Sequence, residues 1–327
     1  MTFAELDEAG QVAVLEEAAG TAAAAFGLAD ATVSPVLLAY NATFRLDVDG
    51  TSYAMRILVG SSSTPANIAA QQSWQVALAA DAGVAVPVPL PTVDGAWWTG
   101  VASPGLGRPA VATVASWLDG APVVGALDAS LARVLGADMA RMHVHARTWA
   151  MPSEAALPVF DDVLFGDPDV LGEVDDLSAA DRTVLERARE RAQRVLSRLH
   201  GRGGARPLHA DLHAGNLLRH GDGLQILDFD DAGLGVPALD LAIARFYADD
   251  HAVHEALAEG YASVAPLPDA SASDLHALAA GRQLLLANDM LRSASAVLRA
   301  DARDYLDTAV RRLAAWLDTG TFTRALD

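Results

Sequence analysis

Apolar positions recur at helical spacing through the first 25 or so residues, where Leu6, Val12, Leu15 and Ala19 mark one side of an Ala-rich stretch and predict an amphipathic helix. From there to about residue 118 the period shortens. Val36–Tyr40, Thr43–Val48, Ser52–Leu58, Trp97–Ala102 and Ala110–Leu118 read as short strands, with Asp49-Gly50 and Asp94-Gly95 as hairpin turns. One helix, Pro65–Ala82, interrupts them. Beyond Asp119-Gly120 the helical period takes over, over Leu131–Arg147, Ser178–His200, Ala238–Gly260 and two long stretches from Ser273 onward. Ser178 and Asp181 have the spacing of a capping box, and Leu185, Ala188, Ala192, Val195 and Leu199 supply a buried stripe. The pattern predicts an α+β chain in two parts. Residues 1–118 form an antiparallel sheet with one inserted helix and an N-terminal helix, and 119–327 form a mainly helical part, joined near Ser116–Gly120.

Residues 208–235 break the helical pattern. Leu217–Arg219 and Leu224–Leu227 are two short apolar strands around His220-Gly221-Asp222-Gly223, a hairpin turn. The residue entering the first strand, Asn216, and the residue leaving the second, Asp228, then lie side by side at the open end. An amide oxygen and a carboxylate together make a hard oxygen site suited to Mg²⁺, with waters or phosphate oxygens completing the octahedron. Asp211, in the preceding loop, can face the same spot and accept a proton from an incoming hydroxyl.

Composition narrows the chemistry. With 327 residues and 52% hydrophobic content the chain can bury one large core or two modest ones. The net charge of −19 disfavours nucleic acid, whose phosphates want a basic face, and suits a cationic small substrate. None of the 23 basic residues is a lysine, which excludes Schiff-base and P-loop lysine chemistry and leaves phosphate contacts to arginine, histidine or backbone amides. There is no cysteine for disulfides or thiolate metal sites. No apolar run reaches the roughly 18 residues of a membrane span and the first residues lack a basic signal region, so the expected location is the cytoplasm.

The order His209-x-Asp211-x-x-x-x-Asn216, with Asp228-Phe229-Asp230 twelve residues later, resembles the catalytic and metal-binding loops of the aminoglycoside phosphotransferase and choline kinase family. That group includes homoserine kinases and bacterial stress-response kinases. The resemblance implies a bilobed protein-kinase-like fold holding ATP, or GTP, and Mg²⁺ between its lobes. Asp211 is then the catalytic base, Asn216 and Asp228 hold the magnesium, His209 holds the loop, and Asp240 buttresses it. Leu135-Gly136 through Met142-His143 is similar to the helix that the family places ahead of this segment. Asn41 to Arg45 is similar to the strand pair whose turn covers the nucleotide phosphates, without a glycine-rich loop. Tyr53 to Ile57 looks like the strand that presents a phosphate-pairing lysine, here Arg56. Gln71, or the adjacent Gln72, stands where the family has the glutamate that holds that lysine. Val114 to Leu118 corresponds to the hinge, where backbone groups of Ser116 and Leu118 would read adenine beside Trp117. A guanidinium can clamp α- and β-phosphate oxygens bidentately.

The acceptor implied is the hydroxyl of a small molecule: an aminoglycoside, an amino alcohol or a homoserine-like compound, with Asp161, Asp162, Asp230 and Asp231 suited to an amine. A protein serine or threonine, as in the stress-response kinases, stays open, as does a non-catalytic nucleotide-binding module, which Arg56 and Gln71 suggest. A metallohydrolase using His143, His145, His209 and His213 is a further alternative. Against it, positions i and i+2 of a helix point about 200° apart. Oligomeric state has no signature in the sequence.

Overall fold

The computed structural model describes residues 3, 6–38, 41–59, 63–101, 106, 109–123, 125, 127–248, 250–293 and 296–325. Tyr40 and Ala102, expected to end two strands, lie outside these residues. The chain divides into two compact units, residues 1–119 with 150–156, and residues 120–149 with 157–327.

In the first unit, helix α1 (Glu8–Ala23) precedes strands β1 (Thr32–Leu38), β2 (Ala42–Val48) and β3 (Thr51–Leu58), helix α2 (Pro65–Ala77), and strands β4 (Pro89–Leu90), β5 (Thr99–Val101) and β6 (Ala110–Ser116). They make one antiparallel sheet in the order β1-β2-β3-β6-β4, with β5 also on β6. The β2–β3 turn takes its residues through positive φ, 49° at Asp49 and 76° at Gly50, the geometry that matches a hairpin's right-handed twist. The first strand begins four residues earlier than Val36, because the β-branched pair Thr32 and Val33 extends it before Pro35, where the register shifts. Helix α2 starts at a reciprocal capping box between Thr64 and Asn67 and ends in a single π turn, Leu78–Ala82.

The alternation of β2, β3 and β6 fixes what each face carries. Phe44, Leu46, Met55, Ile57, Ala112 and Val114 are buried with Leu15, Ala18, Ala19 and Ala22 of α1. Arg56 sits between Met55 and Ile57 and is paired in register with Thr43 on one side and Thr113 on the other. These three residues therefore share the opposite, polar face of the sheet.

The second unit contains β7 (Ala121–Pro122), α3 (Ala129–His145), α4 (Ala179–Gly201), β8 (Arg206–Leu208), β9 (Leu217–His220), β10 (Gly223–Ile226), β11 (Gly233–Gly235), α5 (Ala238–Tyr247), α6 (His251–Ala262), α7 (Ala272–Arg292) and α8 (Ala296–Thr319). The single helix expected over 238–260 is thus two. Asp250 leaves helical geometry (φ −138°, ψ 127°) and its carboxylate accepts the Ala252 N–H at 2.8 Å, so a new helix begins there. Along α4 the buried stripe runs through Leu196, while Val195 is only half-buried, because four residues on from Ala192 return to the same face. Ser178 accepts the Asp181 N–H and donates its hydroxyl to that carboxylate, which is one half of a capping box.

Helices α3 and α6 approach closely enough that only glycine fits at their crossing. A Cβ on Gly260 would lie 1.9 Å from the Arg133 carbonyl oxygen, and one on Gly136 would lie 2.1 Å from that of Leu257. Among the described residues no helix is long and apolar enough to cross a membrane.

Candidate active site

Two short antiparallel ladders frame the segment that carries the chemistry. Strands β8 and β11 pair Leu208 with Gly233, and β9 and β10 pair Leu217 with Ile226. Residues 209–216 and 227–232 are therefore facing loops pinned at both ends. His209 fastens them together. Its Nε2 donates to the Leu227 carbonyl at 2.8 Å, its Nδ1 accepts the Asp211 N–H at 3.3 Å, and its ring tilts against Phe229 at 4.7 Å. The Nε2–H tautomer satisfies both bonds.

Below this loop Asp240 is fully buried, and its carboxylate accepts three hydrogen bonds, from Ala210 N at 2.7 Å, His209 N at 3.2 Å and His143 Nε2 at 2.9 Å. The other nitrogen of His143 accepts from the Tyr261 hydroxyl at 3.0 Å. Burial pushes that hydroxyl's pKa up to about 12, so it remains a donor. Tyr261 follows Gly260, and the glycine crossing is what lets it reach His143. Both His143 nitrogens are thereby used, and no cluster of three or more His, Cys, Asp or Glu able to hold a metal exists among the described residues. This geometry removes the support for a histidine-ligated hydrolase.

The loop is held in uncommon backbone geometry. Ala210 and Asp228 have φ of 63° and 62°. Aspartate tolerates the left-handed region, whereas alanine pays about 1–2 kcal/mol for it. The two amide bonds to Asp240 hold the turn in place. Its effect is to present Asp211 one residue later.

Asp211 is mostly buried and engaged on both oxygens. Oδ1 accepts from Nη2 of Arg282 on α7, and Oδ2 accepts from Asn216 Nδ2 at 2.8 Å and lies 3.3 Å from His213 Nε2. Burial alone would raise its pKa. The hydrogen bond from His213 and the charge of Arg282 outweigh burial and hold it at about 2, so the group is a carboxylate at any ordinary pH. Asn216 Nδ2 also donates to the Asp211 carbonyl at 2.9 Å, and Leu227 N donates to the Asn216 carbonyl at 2.9 Å. With its nitrogen turned onto Asp211, the Asn216 amide directs its oxygen the other way. Asp228, the next residue along from Leu227, brings a carboxylate whose Oδ1 accepts a long bond from Asp230 N at 3.4 Å. This amide and carboxylate pair fits a hard divalent cation that takes most of its ligands from water or phosphate.

The other expected site residues lie in the first unit. Arg56 is half-buried on the polar face of the sheet beside Thr43 and Thr113. Gln71 is buried on α2 and its carbonyl accepts from Gln75 Nε2. Asn41, also buried, ties the start of β2 to Val59 N just after β3, at 3.1 Å. Ser116 donates its N–H to the Val88 carbonyl at 2.8 Å and accepts Val88 N on its hydroxyl at 2.9 Å, which fastens the end of β6 where Leu118 follows. Asp162 is held by the Leu164 N–H and by Arg189 of α4.

Three residues at Asp211 escaped the sequence reading in this role: Arg282, Tyr247 and His213. The Arg282 guanidinium is 5% exposed, donates to the Tyr247 hydroxyl at 3.1 Å and lies over that ring. His213 accepts Gly215 N on Nδ1 and packs on Tyr247 at 4.4 Å, which leaves Nε2–H facing the carboxylate. Arg282 did leave a trace in the sequence. It occupies the stripe Leu275, Leu278, Arg282, Leu285, where every other member is apolar.

The fold is widely shared among solved structures. The microcompartment-associated aminopropanol kinase superposes with a TM-score of 0.76 at 24% identity, covering 91% of this chain and 95% of the other. A choline/ethanolamine kinase family protein from Mesorhizobium loti gives 0.63 at 19% identity, covering 94% and 95%. The amicoumacin kinase hAmiN, solved with AMP-PNP, Ca²⁺ and Ami, gives 0.67 at 19% identity, covering 85% and 88%. These likenesses identify an α+β protein-kinase-like fold. No curated protein sequence matches the chain significantly. A family profile, however, matches residues 32–273, from β1 through the facing loops of 209–232 into the start of α7. The chain belongs to the phosphotransferase enzyme family.

Proposed function

We propose that this enzyme transfers the γ-phosphoryl group of ATP, with Mg²⁺, to a hydroxyl of a small amine-bearing molecule. The observation that carries the reading is the clustering of Asp211, Asn216 and Asp228 on facing loops in a chain of this family. Asn216 and Asp228 would hold the metal, whose charge offsets that of the phosphates as the terminal group transfers. Asp211 would orient the acceptor hydroxyl. As the new O–P bond forms and the bond to the ADP oxygen breaks, the hydroxyl proton passes to the Asp211 carboxylate. A carboxylate held near pKa 2 is a weak base. It takes that proton late, once the acceptor oxygen is largely bonded to phosphorus, and its main contribution is positioning. Arg56 and the backbone around Asn41 are assigned to the phosphates, Gln71 to supporting Arg56, and the backbone of Ser116 and Leu118 to adenine. ATP is favoured over GTP by the AMP-PNP bound to a relative of the same fold.

The preference for an amine rests on charge. Asp231 is packed by protein on one side and open to solvent on the other. Burial and the charges of Asp211, Asp228 and Asp230 push its carboxyl up, to about 7, against the pull of Arg282, and the solvent opening tempers the push. Crowded carboxylates of this kind gain from an arriving cation.

The test is Mg-dependent ADP release from ATP and from GTP across aminoglycosides, amino alcohols, homoserine, sugars and a generic protein acceptor. The expected result is release stimulated by an amine-bearing alcohol and absent in Asp211→Asn. Stimulation by the protein alone would replace the acceptor class, and nucleotide binding with no release on any acceptor would favour a non-catalytic module.

A further inference from the structure

We infer that Arg282, 71 positions beyond Asp211 in helix α7, is a positioning residue of the proposed active site: by holding Oδ1 it fixes the rotation of the Asp211 carboxylate, with Oδ2 turned toward Asn216 and His213. The inference rests on the reading of Asp211 as the proton acceptor.

The geometry separates the two carboxylate oxygens. Oδ1 is taken by the guanidinium, whereas Oδ2 faces Asn216 and His213, the residues of its own loop, on the side of the proposed metal ligands. A carboxylate rotates freely about its Cβ–Cγ bond unless both oxygens are held. Loop bonds alone engage Oδ2, so the bond to Arg282 is what stops the rotation. The guanidinium is itself rigid, since Tyr247 receives the second hydrogen bond of the same nitrogen and lies beneath the cation. Tyr247 is in turn packed by His213 and by Arg324, whose guanidinium lies over its ring at 5.7 Å.

Arg282 also faces Asp231 and Asp289, whose raised carboxyl pKa values its charge pulls down. Arg282 is 5% exposed, occupies an apolar helix stripe, and its Nε is buried with no hydrogen-bond partner among the described residues. Replacing a whole buried ion pair by apolar residues of similar volume is often neutral or stabilising, so stability alone gives little reason to keep the pair, whereas removing Arg282 by itself leaves Asp211 buried without its partner. To Asp211 the guanidinium supplies a hydrogen bond as well as a positive charge, and so a fixed direction for the carboxylate.

The experiment compares wild type with Arg282→Met and Arg282→Lys by two readouts: steady-state kinetics with the best acceptor of the panel, and titration with Mn²⁺ alone followed by its electron paramagnetic resonance signal. Arg282→Met is expected to lower kcat about 100-fold, the cost of a misplaced general base, while the KM for ATP stays within about threefold. Removing a positive charge beside the carboxylates should tighten Mn²⁺ about tenfold. Arg282→Lys should recover at least a tenth of wild-type kcat and wild-type Mn²⁺ affinity. Should the Met variant not fold, Tyr247→Phe removes the other bond of the same nitrogen and should lower kcat several-fold. An Arg282→Met protein that keeps kcat and Mn²⁺ affinity within about twofold overturns the inference, even if its melting temperature falls. Absence of acceptor-dependent ADP release from wild type would instead defeat the phosphotransferase reading. The Mn²⁺ titration then decides Arg282 alone, with unchanged affinity overturning the pairing and tightened affinity supporting it.

Discussion

The duties proposed for Asp211, Asn216 and Asp228 are distinct, and single substitutions separate them. Asp211→Asn preserves shape and the bond to Asn216 but cannot accept a proton, so kcat should fall about 10³-fold with ATP binding retained. Asp228→Ala removes a proposed metal ligand and should weaken the Mg-dependent part of ATP affinity about tenfold or more, read by calorimetry with and without Mg²⁺. Equal loss of binding in both proteins would mean that the assigned duties are wrong. The nearness of Asn216 and Asp228 was legible because they flank one hairpin, where turn chemistry and period-2 alternation decide which residues adjoin, and Asp211 lies in the loop just before it. His213 was harder to assign, since a histidine two residues from the base has the same local pattern whether it caps its own turn or faces the carboxylate. It does both.

At the scale of elements, the loop that carries Asp211 depends on a helix crossing remote from it. Asp240 can hold His209 and Ala210 only while His143 and Tyr261 complete its hydrogen bonds, and Tyr261 reaches His143 because α3 and α6 meet at Gly136 and Gly260. Gly260→Ala places a methyl group against the Arg133 carbonyl and should cost about 2–3 kcal/mol, seen as a lowered urea midpoint. Activity of the folded protein should fall with it, because the same displacement unseats the aspartate. The break between α5 and α6 belongs to this scale as well. Helical periodicity runs through residues 238–260, yet the Asp250 carboxylate offers the backbone a local alternative, and His254 Nε2 reaches back to the Arg245 carbonyl across the break. Periodicity reports which face is apolar and is silent about a cap that starts a second helix in the same phase.

For the whole molecule, stability against pH carries the mark of a crowded acidic surface. Burial and the charge of Asp167 push the Asp289 carboxyl of α7 up, from the ordinary 3.8 to about 6, with Arg282 and Arg292 pulling the other way. A pKa higher in the folded state means that folding binds the proton, so this group supports stability below about pH 4. The contribution is lost as pH rises through 6. Asp289→Asn should therefore raise the melting temperature at pH 8 and leave it unchanged near pH 4. A gain equal at both values would point to packing rather than charge.

The sequence by itself determined what depends on neighbours along the chain: the strand-rich first part, the helical second part, and the hairpin that sets Asn216 beside Asp228. It also limited the chemistry, since a chain with no lysine is left with arginine, histidine or backbone amides to meet phosphate. Tertiary structure alone decided which distant side chains complete the site. His143 lies 97 positions from Asp240, and Arg282 lies 71 from Asp211. Each such pairing forms only when helices pack, because the burial that makes a lone polar residue costly is the same burial that forces it to find its partner.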